Sequence, residues 1–337
     1  MRNDTRVLYR AYLSQVAKLN AIADATEKFA VAPSVQQTLE RKMQESSDFL
    51  KAINMILVMD QEGQKVGVGV SGPIAGTTNT AAADRQTTDP STTDGQNYRC
   101  EQTNFDSHIP YARLDAWARF PEFETMIRDA IIARQALDRI MIGFNGTSRA
   151  ATSNKGANPM LQDVNKGWLQ HYREQAPERV MKEVVAASNK IEIGTGGDYA
   201  NLDALVYDLV AQMVDPWHAE RTDLVAVVGR DLLHDKYFPL VNQNQAATET
   251  LASDIVISQK RIGGLPAARV PYFPAGKIFV TPLKNLSIYT QEGSRRRSVI
   301  DNPKRDRIEN YESANDAYVV EDFGAGALAE NIVPVAA

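Results

Sequence analysis

Residues 121–146, PEFETMIRDAIIARQALDRIMIGFNG, carry the clearest helical pattern in the chain. Phe123, Met126, Ile127, Ala130, Ile131, Leu137, Ile140, Met141 and Phe144 recur at the three- and four-residue steps that bring side chains to one face of a helix. Pro121 suits a first turn, where its missing N–H costs nothing, and Asn145-Gly146 supplies a stop. At a rise of 1.5 Å per residue, residues 121–144 reach about 36 Å, long enough to be the spine of an extended domain.

Toward the N-terminus, residues 98–111 are polar but rich in β-formers (Tyr98, Thr103, Phe105, Ile109, Tyr111), and residues 65–72, KVGVGVSG, alternate valine with glycine at the period of a strand. The two stretches are expected to pair as a long hairpin. Its tip, residues 71–97, is almost wholly small or polar, with Ile74 its one large aliphatic residue. Such a loop is uncommon in a compact domain unless it serves as a lid or a binding arm. The glycines do not make a dinucleotide fingerprint, because Pro73 and a polar tract follow instead of a helix. Further upstream, residues 55–59 read as a short apolar strand. A helix over 34–54 carries Val35, Leu39, Met43, Leu50 and Ile53 on one side and opens on the capping-box pair Ser34 and Gln37. Residues 5–19 read as an amphipathic helix with Leu8, Tyr12, Val16 and Leu19 on one face. The aperiodic stretch 21–32 separates the two helices, so the first 30 residues are expected to be detachable.

Toward the C-terminus, a Gly/Asn/Ser-rich stretch (147–158) leads to a helix with Val164, Trp168, Leu169 and Tyr172 on one side, ended by Ala176-Pro177. After a glycine turn at 194–197, Asp198 is expected to cap a helix bearing Leu202, Leu205, Val206, Leu209, Val210, Met213 and Val214, closed by Pro216. Residues 224–228 read as a buried strand, and Gly229 leads into a helix over 230–238. One glycine without a lysine is no phosphate loop. The remainder reads as strands at 255–258, 267–270, 277–283, 286–289, 307–311 and 318–321. Runs of helix followed by runs of strand predict an α+β fold rather than an alternating one.

The 337 residues exceed the roughly 250 at which a single core stops growing. Hydrophobic residues at 43% and charged ones at 23% fit a folded globular chain. With 37 Lys and Arg against 42 Asp and Glu, the net charge of -5 argues against holding nucleic acid by counterion release. The lone Cys100 permits no intrachain disulfide and no cysteine zinc site, and in a predicted strand without a local His or Lys it reads as inert. His108, His171, His218 and His234 stand apart, with no HExxH arrangement, so no metal is expected. Asp106 with Asp115, and Glu122 with Glu124, read as solvated acids rather than as an acid–base pair. The strongest charge cluster, Arg295-Arg296-Arg297 followed by Lys304, Arg305 and Arg307, could meet a phosphate or an acidic neighbour, an exposed basic strand edge being the commoner explanation. No stretch approaches the 18 apolar residues of a membrane span. The N-terminus lacks the apolar run of a signal peptide, so a soluble, reducing compartment is expected.

The words RAYLSQVAKLN (10–20), PSVQQTLERKMQESSDFL (33–50), LDAWARF (114–120), ANPMLQDVNKGWLQHYREQAP (157–177), VVGRDLLHDKYFP (227–239) and NPKRDRIENYESANDAYVVEDFGAG (302–326) resemble the major capsid proteins of P2-like (Peduovirus) tailed phages, across essentially the whole chain. The resemblance implies the HK97-like α+β capsid fold. Its parts would be a removable N-terminal segment (1–30), an N-terminal arm (31–60), an E-loop hairpin (61–113), a peripheral domain (114–196 and 296–337) with the spine helix at 121–144, and an axial domain (197–295). It further implies a structural subunit that self-assembles as pentamers and hexamers into an icosahedral shell around double-stranded DNA. An internal scaffolding protein with protease activity and a portal protein would be its partners. Assembly would take place in the bacterial host cytoplasm and leave the protein in the virion. Processing would fall near Phe29-Ala30, and no catalytic residue, cofactor or metal is called for. The rival reading, an α+β enzyme with a lid at 71–97, lacks any constellation of nucleophile, base and acid. A secreted adhesin with a binding hairpin would need an export signal.

Overall fold

The computed structural model describes residues 1–70, 75–87, 91–120, 122–232 and 261–335. The chain opens with α1 (Asn3–Leu19), β1 (Phe29–Ala30), α2 (Pro33–Glu45), α3 (Asp48–Ala52) and β2 (Asn54–Val58). The hairpin β3 (Glu62–Val70) and β4 (Ser91–Arg99) is followed by β5 (Glu101–Asn104), β6 (Ser107–Pro110), α4 (Tyr111–Trp117) and the spine helix α5 (Phe123–Asn145). Next come α6 (Trp168–Gln175), β7 (Val180–Met181), β8 (Ile191–Ile193), α7 (Leu202–Met213), α8 (Pro216–Ala219) and β9 (Leu224–Val228). The chain finishes in strands: β10 (Arg261–Ile262), β11 (Leu265–Ala268), β12 (Ile278–Pro282), β13 (Leu286–Gln291), β14 (Arg296–Asn302), β15 (Arg307–Val320), β16 (Ala327–Ala329) and β17 (Ile332–Pro334).

Two large sheets organise most of these elements, while β3 with β4 and β8 with β17 form separate two-stranded ribbons. The first runs β1-β14-β15-β13-β2, with β5 and β6 also paired to β15, and the second runs β10-β11-β9-β12-β16-β7. The spine helix and α6 pack where the two sheets meet. There Ile140, Phe144, Trp168 and Tyr172 bury against Ile288, Tyr318 and Val320 of one and Val227, Phe279 and Leu328 of the other, with Phe323 of the turn after β15 packed beside them. Gly143 lets the helix approach, because a Cβ there would overlap the ring of Trp168. Trp168 in turn donates its indole N–H to the Ser287 carbonyl at 3.0 Å. A second apolar cluster sits between α7 and the second sheet. A third lies under α1.

The folded chain amends several sequence expectations. The helix expected over 34–54 is two, α2 and α3, with a break at Ser46-Ser47. Ala32 rather than Ser34 precedes the first turn, and Pro33 supplies the start that a capping box would have given. Asn201, not Asp198, caps α7, accepting from the Ala204 N–H at 2.9 Å. Asp198 instead receives the Glu192 N–H. Pro216 opens α8 rather than closing α7. Of the stretch 98–111, Tyr98 and Arg99 join the hairpin, and β5 and β6 pair with β15. The strands expected at 307–311 and 318–321 are one continuous strand, β15. The helix expected over 230–238 begins at Arg230, and residues 233–238, His234 among them, lie outside the described residues, as does the strand expected at 255–258.

Candidate functional site: the N-terminal segment and the ionic core beneath it

Phe29 and Ala30 do not sit in a loose linker. They form β1, the outermost strand of the first sheet, antiparallel to β14 with Phe29 opposite Arg297 and Ala30 opposite Arg296. Phe29 is buried and Ala30 exposed, as alternation on an edge strand requires. The Val31 N–H donates to the Arg295 carbonyl at 3.0 Å, and the Val299 N–H to the Ala25 carbonyl at 3.0 Å.

Ahead of this strand, α1 lies in an apolar seam. It buries Thr5, Tyr9, Tyr12 and Val16, while Leu8 and Leu19 stay at the surface. The buried face is therefore rotated from the one expected, with Thr5 and Tyr9 in the places of Leu8 and Leu19. The opposing wall is Tyr111, Leu114, Ile127, Val299 and Ile308. Asp115 of α4 holds the start of the helix: it accepts from the Arg2 N–H at 3.0 Å, and a hydrogen bond from Thr5 followed by that from Arg2 lowers its pKa against the opposing effect of burial. The first 30 residues are thus docked on the body rather than free of it.

Beneath the seam lies the feature that the sequence hid. Arg295 is 1% exposed and Arg139 fully buried, where an unpaired charge would be prohibitive. Nε and Nη2 of Arg139 donate to the two oxygens of Asp316, each at 3.0 Å. Its Nη1 reaches Glu40 Oε2, and Nη2 also reaches Glu40 Oε1 at 3.2 Å. Arg295 donates Nε to Glu312 Oε1 at 2.6 Å, Nη1 to Glu40 Oε1 at 2.7 Å and Nη2 to Gln135 Oε1 at 2.6 Å. Gln135 closes the ring by donating to Glu312 Oε2 at 2.8 Å. Arg297, opposite Glu312 in register, donates to Asn310 Oδ1 at 2.8 Å and to the Tyr12 hydroxyl at 2.7 Å.

Three carboxylates thus meet three guanidinium groups. Burial alone would raise Glu312, but Arg295 and Arg297 bring it down to about 2. Burial would also raise Glu40, and Arg139 and Arg295 reverse that. Of the readings of Arg295-Arg296-Arg297, an acidic neighbour holds and an exposed strand edge does not: alternation turns Arg295 and Arg297 to the same inner face, where Glu312 and Glu40 receive Arg295, and β1 covers the edge of β14. The ionic core joins α2 (Glu40), the spine (Gln135, Arg139), the first sheet (Glu312, Asp316) and Arg295 just ahead of β14. The signal available in the sequence was polar residues at helical spacing inside apolar stripes, Gln36 with Glu40 and Gln135 with Arg139.

The hairpin base is also fastened to its own body. Lys65 Nζ donates to the Val320 carbonyl at 2.9 Å and lies 3.6 Å from Glu321, and the Tyr98 ring meets Tyr289 edge-on at 5.0 Å. Cys100 is buried, which pushes its thiol up to about 12. The other singled-out residues do not converge. His108 is exposed, His171 lies 3.2 Å from the Gln175 amide, and His218 faces Asp322 at 2.9 Å. Asp106 accepts the Glu312 N–H while Asp115 accepts that of Arg2, and Glu122 is the residue before the first turn of the spine, with no capping bond. Among the described residues no cluster of three or more His, Cys, Asp or Glu is placed to hold a metal ion, and no helix is long and apolar enough to cross a membrane.

Comparison with known proteins accounts for the architecture. The family model described as the phage major capsid protein of the P2 family matches residues 8–332. The capsid protein of Escherichia phage P2 is 55% identical, over 98% of this chain and 95% of that one. The major capsid protein of Serratia phage KSP20 is 43% identical, over 98% and 97%. Among solved structures, a chain of the satellite phage P4 procapsid containing the size determination protein superposes with a TM-score of 0.81 at 53% identity, over 99% of both chains. A capsid chain of an empty GTA particle, 15% identical, shares the fold alone, with a TM-score of 0.54 over 86% of this chain and 90% of that one. The fold is the HK97-like α+β capsid fold, and the relatives are named as capsid proteins rather than enzymes. The chain belongs to the P2 family of phage major capsid proteins, structural subunits of the virion shell.

Proposed function

We propose that copies of this chain assemble as pentamers and hexamers on an internal scaffolding protein that carries protease activity, around a portal. Residues 1–29 are then removed by cleavage at Phe29-Ala30, and the shell receives double-stranded DNA without reading its sequence. The observation that supports this most directly is the state of the N-terminal segment: an extended edge strand preceded by a helix docked in a seam, joined to the body by contacts that can open without dismantling either sheet. A protease binds its substrate extended, and an outermost strand needs only to peel from one neighbour. The net charge of -5 suits a container that must release its contents.

The division into an arm (31–60), an E-loop hairpin (61–113), a peripheral domain (114–196 and 296–337) and an axial domain (197–295) belongs to the same proposal. It is supported by the separate cluster that α7 makes with the second sheet, to which β7 and β16 contribute from the flanking ranges. Coexpression with the cognate scaffold, followed by intact-mass measurement of chains from purified shells, tests the reading. Chains beginning at Ala30 are expected. Full-length chains in mature, DNA-filled shells, or a cut elsewhere, would overturn the junction.

A further inference from the structure

We propose that Arg297 reports whether the N-terminal segment is docked and transmits this to the arm through Glu312, Arg295 and Glu40. The inference rests on the proposal that residues 1–29 are removed only for its biological meaning; the relay itself is a property of the uncut chain.

The geometry is specific. Arg297 stands where the segment meets the body, with Phe29 opposite it on β1 and the Tyr12 hydroxyl 2.7 Å from its guanidinium. On its other side, Asn310 accepts at 2.8 Å, and Glu312 is its direct cross-strand neighbour. Glu312 is shared: its Oε1 accepts from Arg295 and its Oε2 from Gln135. Arg295 spends its remaining donors on Gln135 and on Glu40, and Glu40 is carried by α2. A chain of polar contacts therefore runs from the segment through Arg297 of β14 and Arg295, just before that strand, to the arm. Each buried charge in it is held by its neighbours.

The consequence follows from charge and desolvation. With Tyr12 present, Arg297 has a hydroxyl partner on the segment side, and Arg295 keeps Glu312 and Glu40 together. When Tyr12 leaves, a guanidinium in the seam loses an acceptor, and the nearest anion is Glu312. A bond from Arg297 to Glu312 competes with that of Arg295, whose hold on Glu40 is then redistributed. A buried network has few neutral rearrangements, so loss of one partner is felt at the next. The arm, otherwise tied at Glu40 to Arg139 alone, becomes easier to open. Undocking the segment thereby loosens a second element lying behind the seam.

Hydrogen exchange on the uncut, full-length chain tests this, comparing Tyr12→Phe, Arg297→Gln and the pair. Tyr12→Phe removes one oxygen and keeps the ring that fills the seam. It is expected to speed exchange of the α2 amides by roughly two- to thirtyfold, the range of ordinary site-to-site coupling. Arg297→Gln takes away the guanidinium that would compete for Glu312, so it is expected to leave α2 exchange near that of the unsubstituted chain, and the double substitution to show no α2 effect either. Unchanged α2 exchange in Tyr12→Phe would overturn the relay, as would effects of the two substitutions that simply multiply. Because no cleavage takes place in these samples, a failure here is separable from a failure of the processing site, which is read from the mass of shell chains.

Discussion

Arg139 and Asp316 face each other with two parallel hydrogen bonds of 3.0 Å, fully buried, and so weld the C-terminal half of the spine helix to β15. A planar guanidinium matches a carboxylate in this bidentate way, and lysine cannot reproduce it. Breaking one side of such a pair leaves the other charge buried without a partner. Arg139→Met is therefore expected to destabilise the chain by about 3–5 kcal/mol, and Arg139→Lys by a smaller but measurable amount. Urea denaturation of unassembled protein checks both. A loss below 1 kcal/mol for Arg139→Met would mean that water reaches Asp316.

Acid should unfasten the same region in a defined window. The folded pKa of Glu312 is about 2, below the ordinary glutamate value near 4.5. Its contribution is therefore fully present above about pH 4.5 and declines as pH falls toward 2. The difference corresponds to about 3 kcal/mol at neutral pH. Glu40, also lowered, adds in the same direction. Stability measured from pH 7 down to 2 should fall most steeply in that interval, and Glu312→Gln should flatten the curve there while lowering stability at pH 7.

Deleting residues 1–29 removes Tyr9, Tyr12, Val16, Ala25 and Phe29 from the third cluster and exposes Tyr111, Leu114, Ile127, Val299 and Ile308. The two larger clusters keep their residues. The truncated chain is expected to fold, with a lower melting temperature and increased binding of an apolar dye, and to assemble with poor size control. Complete loss of a cooperative melting transition would show that the segment is part of the core.

Gly143→Ala should be costly although alanine is the better helix former. The added methyl enters the space of the Trp168 ring, which is packed by Phe49, Phe144 and Tyr318 and held at its N–H. Overpacking of this kind costs roughly 1–3 kcal/mol. A changed tryptophan emission spectrum together with a lowered denaturation midpoint would confirm it, whereas wild-type stability would mean that the ring can step aside.

Protection along the hairpin should be graded. Lys65, Tyr98 and Cys100 anchor its base to β13 and β15 or to the loop before β3, and a two-stranded ribbon is marginal without further support. Amides of 62–65 and 97–100 are expected to be protected in free subunits and in shells. Those of 75–87 should exchange on the order of tenfold faster in free subunits than in shells. Equal, strong protection at 75–87 in both states would show that the tip packs on its own body.

Elements whose pattern is local were legible in the sequence. The spine, α7, the strand at 224–228 and the valine-rich hairpin strand rest on periodicity and on Gly or Pro stops, which depend on near neighbours alone. Whole-chain resemblance carried the fold and the structural role, because words such as 302–326 span many residues at once. What the sequence left open was the meaning of charge. Glu312, Asn315 and Asp316 interrupt an otherwise β-forming run and suggest a gap between two strands, yet they lie within β15. The sheet, α2 and the spine together supply the arginines and amides that let such groups be buried. Arg295 and Arg297 look solvated in a row of three arginines, and only the pairing of β14 with β15 and the cover given by β1 turn them inward. The same holds for Tyr9 and Tyr12: the periodicity of α1 allows more than one apolar face, and the wall formed by α4, the spine and β14 decides which is buried. A side chain's burial depends on partners as far as 285 positions away, as Tyr12 and Arg297 are, and no local pattern encodes such partners.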